Sequence, residues 1–558
     1  GNVSYTASLC AGTLAGSEAI KATVNGIMLQ SSTIVHIVPG ETSRERSELK
    51  AAASSIVADG SSQTTITLRT IDRYGNPRTT SAGTVSMSTT AGSLSNITDL
   101  GNGQYTATLR SASKTGTAFV SARLADVAFQ QTVEVDFVAG AAAASKSTLT
   151  AAEDMLVAGS GSTELTVQLL DLYDNPLSSG GDHVVFQTTS GTIDHVKDHG
   201  NGQNSAVFTA PEAAGISSIE ALVNGSKLQE KLSIRIVPGM MSTDRSAIES
   251  LHPVIVANGL SQTLITARLK DAYGNALDTG GDQVVFGTTA GVLGNTVDNG
   301  DGSYSVILWS STLTGRAVIS ARVNGTSLTA STAVEFIPGP VSVTTSQLRT
   351  DRSALTADGV DATMVTVQLK DAFGNAITSG GDHVALRSSA GALGMIADHG
   401  DGTYTALLTA GTISGIATIL ATVNGESVLQ QVEVQLLPGP AVAKTSTFAV
   451  SRTSATADGS DSIAVTVQTK DQFGNDLIEE VPDLGLQLSS TRGTIGELKY
   501  SGQGRYTADL RSTETGEAVI SATIDGMELM NAPITVNFVA GEPSAASSTL
   551  EVERGRLI

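Results

Sequence analysis

Residues 365–375 read VTVQLKDAFGN, an alternating run followed by a turn-forming loop. The apolar residues Val365, Val367 and Leu369 alternate with polar ones, which is the period of a β-strand with one buried face. DAFGN follows, and Gly and Asn are residues that accept the unusual backbone angles of a tight turn. We expect its aspartate to accept loop amide hydrogens and its aromatic ring to cover one end of the domain.

The same loop recurs along the chain. Its aspartates are spaced by 99, 100, 100 and 100 residues, which indicates a tandem array of domain-sized units. An Ala-Gly or Pro-Gly dipeptide closes each unit. The loops are DRYGN at 72–76, DLYDN at 171–175, DAYGN at 271–275, DAFGN at 371–375 and DQFGN at 471–475. The closing dipeptides are Pro39-Gly40, Ala139-Gly140, Pro238-Gly239, Pro338-Gly339, Pro438-Gly439 and Ala540-Gly541.

These markers predict five complete units. Residues 1–40 match the second half of a unit, and residues 542–558 resemble the opening of another. Half a domain cannot bury its apolar face alone, so we expect the chain to be a window from a longer array. The predicted units are unit 1, 41–140; unit 2, 141–239; unit 3, 240–339; unit 4, 340–439; and unit 5, 440–541.

A second alternating run, at 417–423, ends in Asn424-Gly425, a dipeptide that favours a type I′ hairpin turn. The turn recurs at Asn25-Gly26, Asn224-Gly225, Asn324-Gly325 and Asp525-Gly526. No stretch shows a helical stripe. About seven short strands per unit predict an all-β fold of tandem immunoglobulin-like β-sandwich domains, arranged as an elongated rod.

A tyrosine precedes another alternating strand in four units. Its position fits a tyrosine corner, in which the phenol oxygen bonds to backbone across a sheet edge. Two residues later, where antibody domains have a cysteine, stand small apolar residues such as Ala107 and Ala406. Unit 2 has Asn204 instead, so we expect it to be the least firmly held unit. The four tyrosines are Tyr105, Tyr304, Tyr404 and Tyr506.

Composition limits the function. The net charge is −21, from 54 acidic and 33 basic residues, so nucleic acid and anionic membranes are repelled. Cys10 is the single cysteine, which excludes an intrachain disulfide, and we expect it to be exposed, as we do Trp309. No run of 18 apolar residues exists. We therefore expect any anchor or export signal to lie outside this chain.

No catalytic motif is found. The sequence has no HExxH, no GxSxG, no phosphate loop and no metal-type cysteine spacing, and units 1 and 5 contain no histidine. We predict no catalytic, cofactor-binding or metal-binding residues.

Two groups of residues raise the question of metal. Asp59, Asp358 and Asp458 lie near unit boundaries, where calcium could stiffen a joint. Because Gly159 and Asn258 replace this aspartate in units 2 and 3, a turn or cap role is favoured over calcium.

The second group pairs Asp with His. If Ser190-Gly191 and Ala390-Gly391 are hairpin turns, the paired residues meet at one end, as a transition-metal or pH-responsive cluster would require. Unit 3 has Gln283 and Asn299 in place of the histidines, which favours ordinary loop residues. The pairs are Asp182-His183 with Asp198-His199 and Asp382-His383 with Asp398-His399.

The motifs follow one order at the 100-residue spacing, with substitutions in single units: ADG, D-x-[YF]-G-N, [TS]-x-[AS]-G-x-[LI], G-[ND]-G-x-Y and TG-x-A-x-[IV]-x-A-x-[VI]-[ND]-G. This pattern resembles the bacterial immunoglobulin-like group 1 domains of the invasin and intimin adhesins. The resemblance implies tandem domains on the cell surface that hold a receptor-binding tip away from an outer membrane, where an amino-terminal β-barrel anchors them.

We therefore expect a non-enzymatic stalk of a bacterial surface adhesin. Strands of eight to ten residues give a domain roughly 30 to 40 Å long, so five in line span on the order of 150 to 200 Å. The alternatives are a surface-layer, sheath or filament protein whose domains contact neighbouring copies, and domains that bind glycan directly. The partner is then a host receptor, a surface glycan or a neighbouring copy.

Overall fold

The computed structural model describes residues 3–551 and 553, and all its regular elements there are β-strands. The all-β prediction is confirmed. Among these residues no helix is long and apolar enough to cross a membrane. The predicted opening of a further unit at 542–558 falls partly outside the described residues.

The strands are numbered β1 to β51 in chain order. Residues 3–40 contain β1 Gly16–Val24 and β2 Ile27–Ile37. Unit 1 contains β3 Thr42–Ala51, β4 Ser55–Val57, β5 Gln63–Asp72, β6 Val85–Thr89, β7 Ser93–Leu94, β8 Thr98–Asp99, β9 Gln104–Arg110, β10 Gly116–Leu124 and β11 Val127–Val138. Unit 2 contains β12 Thr148–Ala151, β13 Met155–Val157, β14 Ser162–Gln168, β15 Val184–Thr188, β16 Thr192–Ile193, β17 Lys197–Asp198, β18 Gln203–Thr209, β19 Gly215–Val223, β20 Ser226–Lys227 and β21 Leu232–Val237.

Units 3 to 5 follow the order of unit 2. Unit 3 contains β22 Ala247–Ser250, β23 Val254–Val256, β24 Gln262–Arg268, β25 Val284–Thr288, β26 Val292–Leu293, β27 Val297–Asp298, β28 Ser303–Trp309, β29 Gly315–Val323, β30 Thr326–Ser327 and β31 Thr332–Ile337. Unit 4 contains β32 Gln347–Thr350, β33 Ala354–Thr356, β34 Ala362–Gln368, β35 Val384–Ser388, β36 Ala392–Leu393, β37 Ala397–Asp398, β38 Thr403–Thr409, β39 Gly415–Val423, β40 Glu426–Ser427 and β41 Val432–Leu437. Unit 5 contains β42 Thr447–Val450, β43 Ser454–Thr456, β44 Ile463–Gln468, β45 Leu486–Ser490, β46 Thr494–Ile495, β47 Lys499–Gly502, β48 Arg505–Arg511, β49 Gly516–Ile524, β50 Met527–Glu528 and β51 Ile534–Val539.

Each complete unit is a sandwich of two sheets. In unit 4 one sheet has the order β32-β34-β38-β36, with β37 on β38, and the other has the order β33-β41-β39-β35, with β40 on β39. All these pairs are antiparallel except β33 with β41, which is parallel. The tandem immunoglobulin-like sandwich fold is confirmed.

The core lies between the two sheets and is built by the alternating residues. In unit 4, Val365, Val367 and Leu369 from one sheet face Ala417 and Ile419 from the other, and all five are fully buried. Removing this apolar surface from water is the main force that holds the sheets together. By contrast, β1 and β2 form a two-stranded sheet whose residues are mostly exposed.

The hairpin turns have the backbone that their sequence predicts. Asn424 and Gly425 have φ of 51° and 89°, positive at both central residues as a type I′ turn requires. Unit 1 makes the same turn with Ala125 and Asp126, at 46° and 66°. An alanine there is unusual, because a Cβ disfavours positive φ.

The tyrosine corners are confirmed. Tyr304 and Tyr404 are almost fully buried, and each phenol oxygen accepts a backbone N–H, from Asp282 at 2.8 Å and from Asp382 at 2.9 Å. Each tyrosine stands on a strand of one sheet and bonds to the segment that leads into the edge strand of the other. The corner therefore closes one edge of the sandwich.

Candidate functional site at the joints between units

The aspartate of the repeated loop lies at the joint with the preceding unit. Asp371 is 1% exposed. Its Oδ1 accepts the backbone N–H groups of Phe373 and Asn375, both at 2.9 Å. Its Oδ2 accepts the Asn375 side-chain Nδ2 at 2.8 Å and the N–H of Gly339 at 3.0 Å. Since Gly339 closes unit 3, one carboxylate fixes both the loop and the segment that enters unit 4.

The asparagine of the loop bonds directly to the preceding unit. Asn375 Nδ2 also donates to the carbonyl oxygen of Thr312 at 2.8 Å, and Asn375 Oδ1 accepts the N–H of Thr314 at 3.1 Å. Both partners lie between β28 and β29 of unit 3. One amide side chain thus pairs with a donor and an acceptor across the joint, as a backbone group in a sheet would.

All five loops make the same pair of bonds. From the asparagine Nδ2 to the carbonyl oxygen of the preceding segment, the distances are 2.7 Å (Asn76 to Thr13), 2.9 Å (Asn175 to Ser113), 2.7 Å (Asn275 to Glu212), 2.8 Å (Asn375 to Thr312) and 2.9 Å (Asn475 to Thr412). The Oδ1 atoms of the same five asparagines, in chain order, accept the backbone N–H groups of Ala15 at 2.7 Å, Thr115 at 3.1 Å, Ala214 at 2.9 Å, Thr314 at 3.1 Å and Ser414 at 2.9 Å.

The joint favours an ionised aspartate. Burial alone raises the pKa of Asp371, because it disfavours the charged form. The side-chain amide of Asn375 and the N–H groups of Gly339, Asn375 and Phe373 outweigh this cost, so the pKa of Asp371 lies below its usual range. The pKa values of Asp72, Asp171, Asp271 and Asp471 are likewise lowered, each by the equivalent asparagine, glycine and aromatic residue of its own joint.

The aromatic residue of the loop covers less than expected. Phe373 remains 48% exposed and Tyr273 47% exposed. The ring of Tyr273 lies against Gly159 of unit 2, where an added Cβ would approach the ring to 2.3 Å. This ring therefore contacts the neighbouring unit. We had expected it to cover the end of its own domain.

Sequence reasoning identified this loop as scaffold but missed its role between units. It assigned the unusual backbone angles to Gly and Asn together, whereas positive φ is found at Gly374, at 86°, and at Asp174, at 63°, and not at the asparagines. Asp174 is thus explained, since aspartate tolerates positive φ. The sequence signal for the joint was the recurring asparagine. Its backbone does not have positive φ, so its recurrence reflects the hydrogen bonds of its side chain.

The candidate calcium aspartates cap turns. Asp358 Oδ1 accepts the N–H groups of Val360 at 2.8 Å and Asp361 at 2.6 Å, and Asp59 and Asp458 make equivalent bonds. Asn258 caps in the same way in unit 3. Unit 2 differs from the expected substitution: its loop is one residue shorter, and Gly159, with φ of 70°, takes the conformation of Gly60, at 67°.

The Asp-His pairs are placed differently from the prediction. Ser190-Gly191 is not a hairpin turn, because β15 and β16 belong to different sheets, and Ala390-Gly391 likewise joins two sheets. The loops still meet, since Asp198 Oδ2 accepts the N–H of Gly181 at 2.8 Å and Asp398 Oδ2 that of Gly381 at 2.8 Å.

The histidines of these pairs do not converge on one point. His199 Nε2 bonds to Ser205 Oγ at 2.9 Å, and His399 Nε2 bonds to Thr405 Oγ1 at 2.8 Å. No group of three or more His, Cys, Asp or Glu side chains able to hold a metal ion is found in the part of the chain that the structure describes. The geometry favours loop residues that fasten the two sheets to each other.

The single cysteine and the single tryptophan differ in their exposure. Cys10 is exposed, as predicted. Trp309 is half-buried, with its ring over Gly294, where an added Cβ would approach it to 2.9 Å. It is therefore neither a core tryptophan nor fully outward-facing.

The fold and its joints define a class: tandem bacterial immunoglobulin-like domains linked end to end by side-chain hydrogen bonds. The family model for invasin domain 3 matches the chain five times, at residues 43–140, 143–239, 242–339, 342–439 and 442–541. The chain belongs to this family, and so to adhesin-related proteins.

The chain is also similar to individual adhesins. The inverse autotransporter adhesin YeeJ of Escherichia coli strain K12 is 23% identical over 366 residues, which are 62% of this chain and 15% of that protein. The Escherichia coli adhesin FdeC is 24% identical, with a TM-score of 0.40 over 54% of this chain and 99% of that structure. Invasin, described as a bacterial integrin-binding protein, is 21% identical, with a TM-score of 0.37 over 71% of this chain and 79% of that structure.

Proposed function

We propose that this chain is a non-enzymatic stalk of a bacterial surface adhesin, which extends a binding domain located elsewhere in the protein. The observation that carries the proposal is the joint. Five times, an asparagine and an aspartate fix one unit on the next through hydrogen bonds made by side chains. A protein whose units acted independently would need only flexible linkers.

The joints favour a stiff connection over a flexible one. The aspartate bonds to the segment that enters its unit, the asparagine bonds to a different loop of the preceding unit, and the two side chains bond to each other. A bend at the joint must therefore break several hydrogen bonds at once. We infer that the units form an elongated rod outside the cell, with boundaries at 41–140, 141–239, 240–339, 340–439 and 440–541, and that its anchor and receptor-binding tip belong to other parts of the protein.

A length series tests the stalk directly. Bacteria would display the same binding tip on five, three or one of these units, and adhesion would be measured on receptor grafted beneath a polymer brush of fixed height. We expect adhesion to fall as units are removed, while binding of soluble receptor stays constant. Equal adhesion by all lengths would contradict the spacer role, and ordered lattices of the purified chain would favour the surface-layer alternative.

A further inference from the structure

Unit 2 has a cleft where the other units have their corner tyrosine. The cleft has a volume of about 470 Å³ and lies between edge strand β15 of one sheet and the β16–β17 segment of the other. Its lining includes Asn204, Phe186, Asp182, His183, Asp194 and His195. Asn204 occupies the position of the tyrosine.

The backbone around Asn204 is that of the tyrosine corner. Asn204 pairs with Val167 and Asp198, as Tyr304 of unit 3 pairs with Ala267 and Asp298. The strand pairing is therefore the same in both units, while the asparagine side chain lacks the phenol ring of the tyrosine. The space between the sheets that a phenol ring fills elsewhere is left open to solvent.

Two polar groups in the cleft lack partners. Asn204 is only 2% exposed, and its side-chain amide makes no hydrogen bond within residues 3–551. In units 3 and 4 the backbone N–H groups of Asp282 and Asp382 donate to the tyrosine oxygen. The equivalent N–H of Asp182 has no acceptor within residues 3–551. Asn204 is a buried residue and Asp182 is half-buried, and both line the open cleft. The Asn204 amide and the Asp182 N–H are therefore free to bond to a ligand with polar atoms.

The rim of the cleft is particular to unit 2. Asp194 and His195 stand where unit 3 has Gly294 and Asn295 and where unit 4 has Gly394 and Met395. Asp194 Oδ1 accepts the N–H of Val207 at 2.6 Å, which holds this segment in place. The rim thus adds hydrogen-bonding groups at the point where the tyrosine was lost.

We propose that this cleft binds one neutral hexopyranose ring, as found at the end of a glycan. A pyranose has the size of the missing phenol ring and carries hydroxyl groups at both ends, which suit the Asn204 amide and the Asp182 N–H. Its apolar face suits Phe186. The carboxylates of Asp182, Asp194 and Asp198 repel an anionic sugar.

Saturation-transfer NMR on the whole chain tests the proposal, with methyl glycosides of glucose, galactose, mannose and N-acetylglucosamine as probes and p-cresol as the competing ring. We expect at least one glycoside to bind. Asn204→Tyr fills the cleft with the side chain that four other units have, so it should abolish binding and melt no lower than the parent chain. His195→Ala removes an exposed side chain and should weaken binding by about fivefold, the size of one hydrogen bond.

The proposal is overturned if no glycoside binds, if binding survives Asn204→Tyr, or if p-cresol binds in preference to every glycoside. A lower melting temperature of Asn204→Tyr also contradicts it, because the space would then not fit a ring. None of these results affects the stalk, which depends on the joints and not on this cleft.

Discussion

At the scale of single residues, two side chains of the repeated loop make different hydrogen bonds at each joint. Asp371 organises its own loop and receives the N–H of Gly339, while Asn375 reaches across to Thr312 and Thr314. The asparagine can be removed without disturbing the core of either unit, which makes its contribution measurable.

We predict that Asn375→Ala loosens one joint and leaves both units folded. The change removes two hydrogen bonds between units, each worth about 1 kcal/mol. Spin labels on units 3 and 4 should show a broader distance distribution, with unchanged circular dichroism. The joint between units 4 and 5, held by Asn475, is the control in the same molecule. An unchanged distribution would show that the asparagine does not stiffen the joint.

The joints should also weaken in acid. The pKa of Asp371 is lower at the joint than the value of about 3.9 for an exposed aspartate. Its ionisation therefore stabilises the joint fully above about pH 4, and this stabilisation is lost as the pH falls through the lowered pKa. The distribution of fluorescence energy-transfer efficiencies between labelled units 3 and 4 should broaden at low pH, and Asp371→Asn should reduce that broadening. A pH-independent signal from the parent joint would contradict this assignment.

The tyrosine corner gives a third test at this scale. Tyr404→Phe keeps the ring but leaves the N–H of Asp382 without its acceptor, so the free energy of unfolding of unit 4 should fall by about 1 to 2 kcal/mol. Calorimetry would measure the change. Unit 2, which has Asn204, is predicted to unfold first in the parent chain, and an equal or higher melting temperature for unit 2 would count against the clamping role of the corner.

At the scale of elements, the second and the last strand of each unit lie side by side. In unit 4 the chain passes through β32 and then β33, and β33 pairs in parallel with β41, the last strand of the unit. The N–H of Gln435 donates to the oxygen of Ser353 at 2.8 Å, and that of Ala357 to Leu437 at 2.7 Å. Force applied at the two ends of the unit therefore shears several hydrogen bonds together.

We predict that Gln435→Pro lowers the force at which unit 4 unfolds. The side chain of Gln435 is exposed, and proline removes the N–H that bonds to Ser353. Single-molecule stretching of the whole chain should show one weaker event among the five units, whereas Gln435→Ala, which keeps the N–H, should show none. A normal unfolding force for the proline variant would mean that this pair of strands does not bear the load.

Much at this scale could be predicted from the sequence. Alternation at 365–369 located a strand and its buried face, and Asn-Gly located the hairpins, because both are local properties of the chain. Which sheet a strand joins is not local, so the sequence could not show that Ser190-Gly191 connects two sheets and does not form the hairpin that the Asp-His hypothesis required. The partners of Asn375 lie 61 and 63 residues away, so the joint needed the structure.

At the scale of the whole molecule, the five joints repeat one geometry, so the relation between neighbouring units repeats as well. Repeated units that contact only their neighbours give a linear array. Length is then set by the number of units. The net charge of −21 adds electrostatic repulsion between such arrays and anionic surfaces.

The most direct test of this account is electron microscopy of the negatively stained chain, beside a variant in which Asn76, Asn175, Asn275, Asn375 and Asn475 are all alanine. We predict isolated straight particles, on the order of 150 to 200 Å long for five units, from the parent chain and bent, irregular particles from the variant. Flexible or compact particles from the parent chain, or equally straight ones from the variant, would contradict the claim that these joints make the chain a stalk.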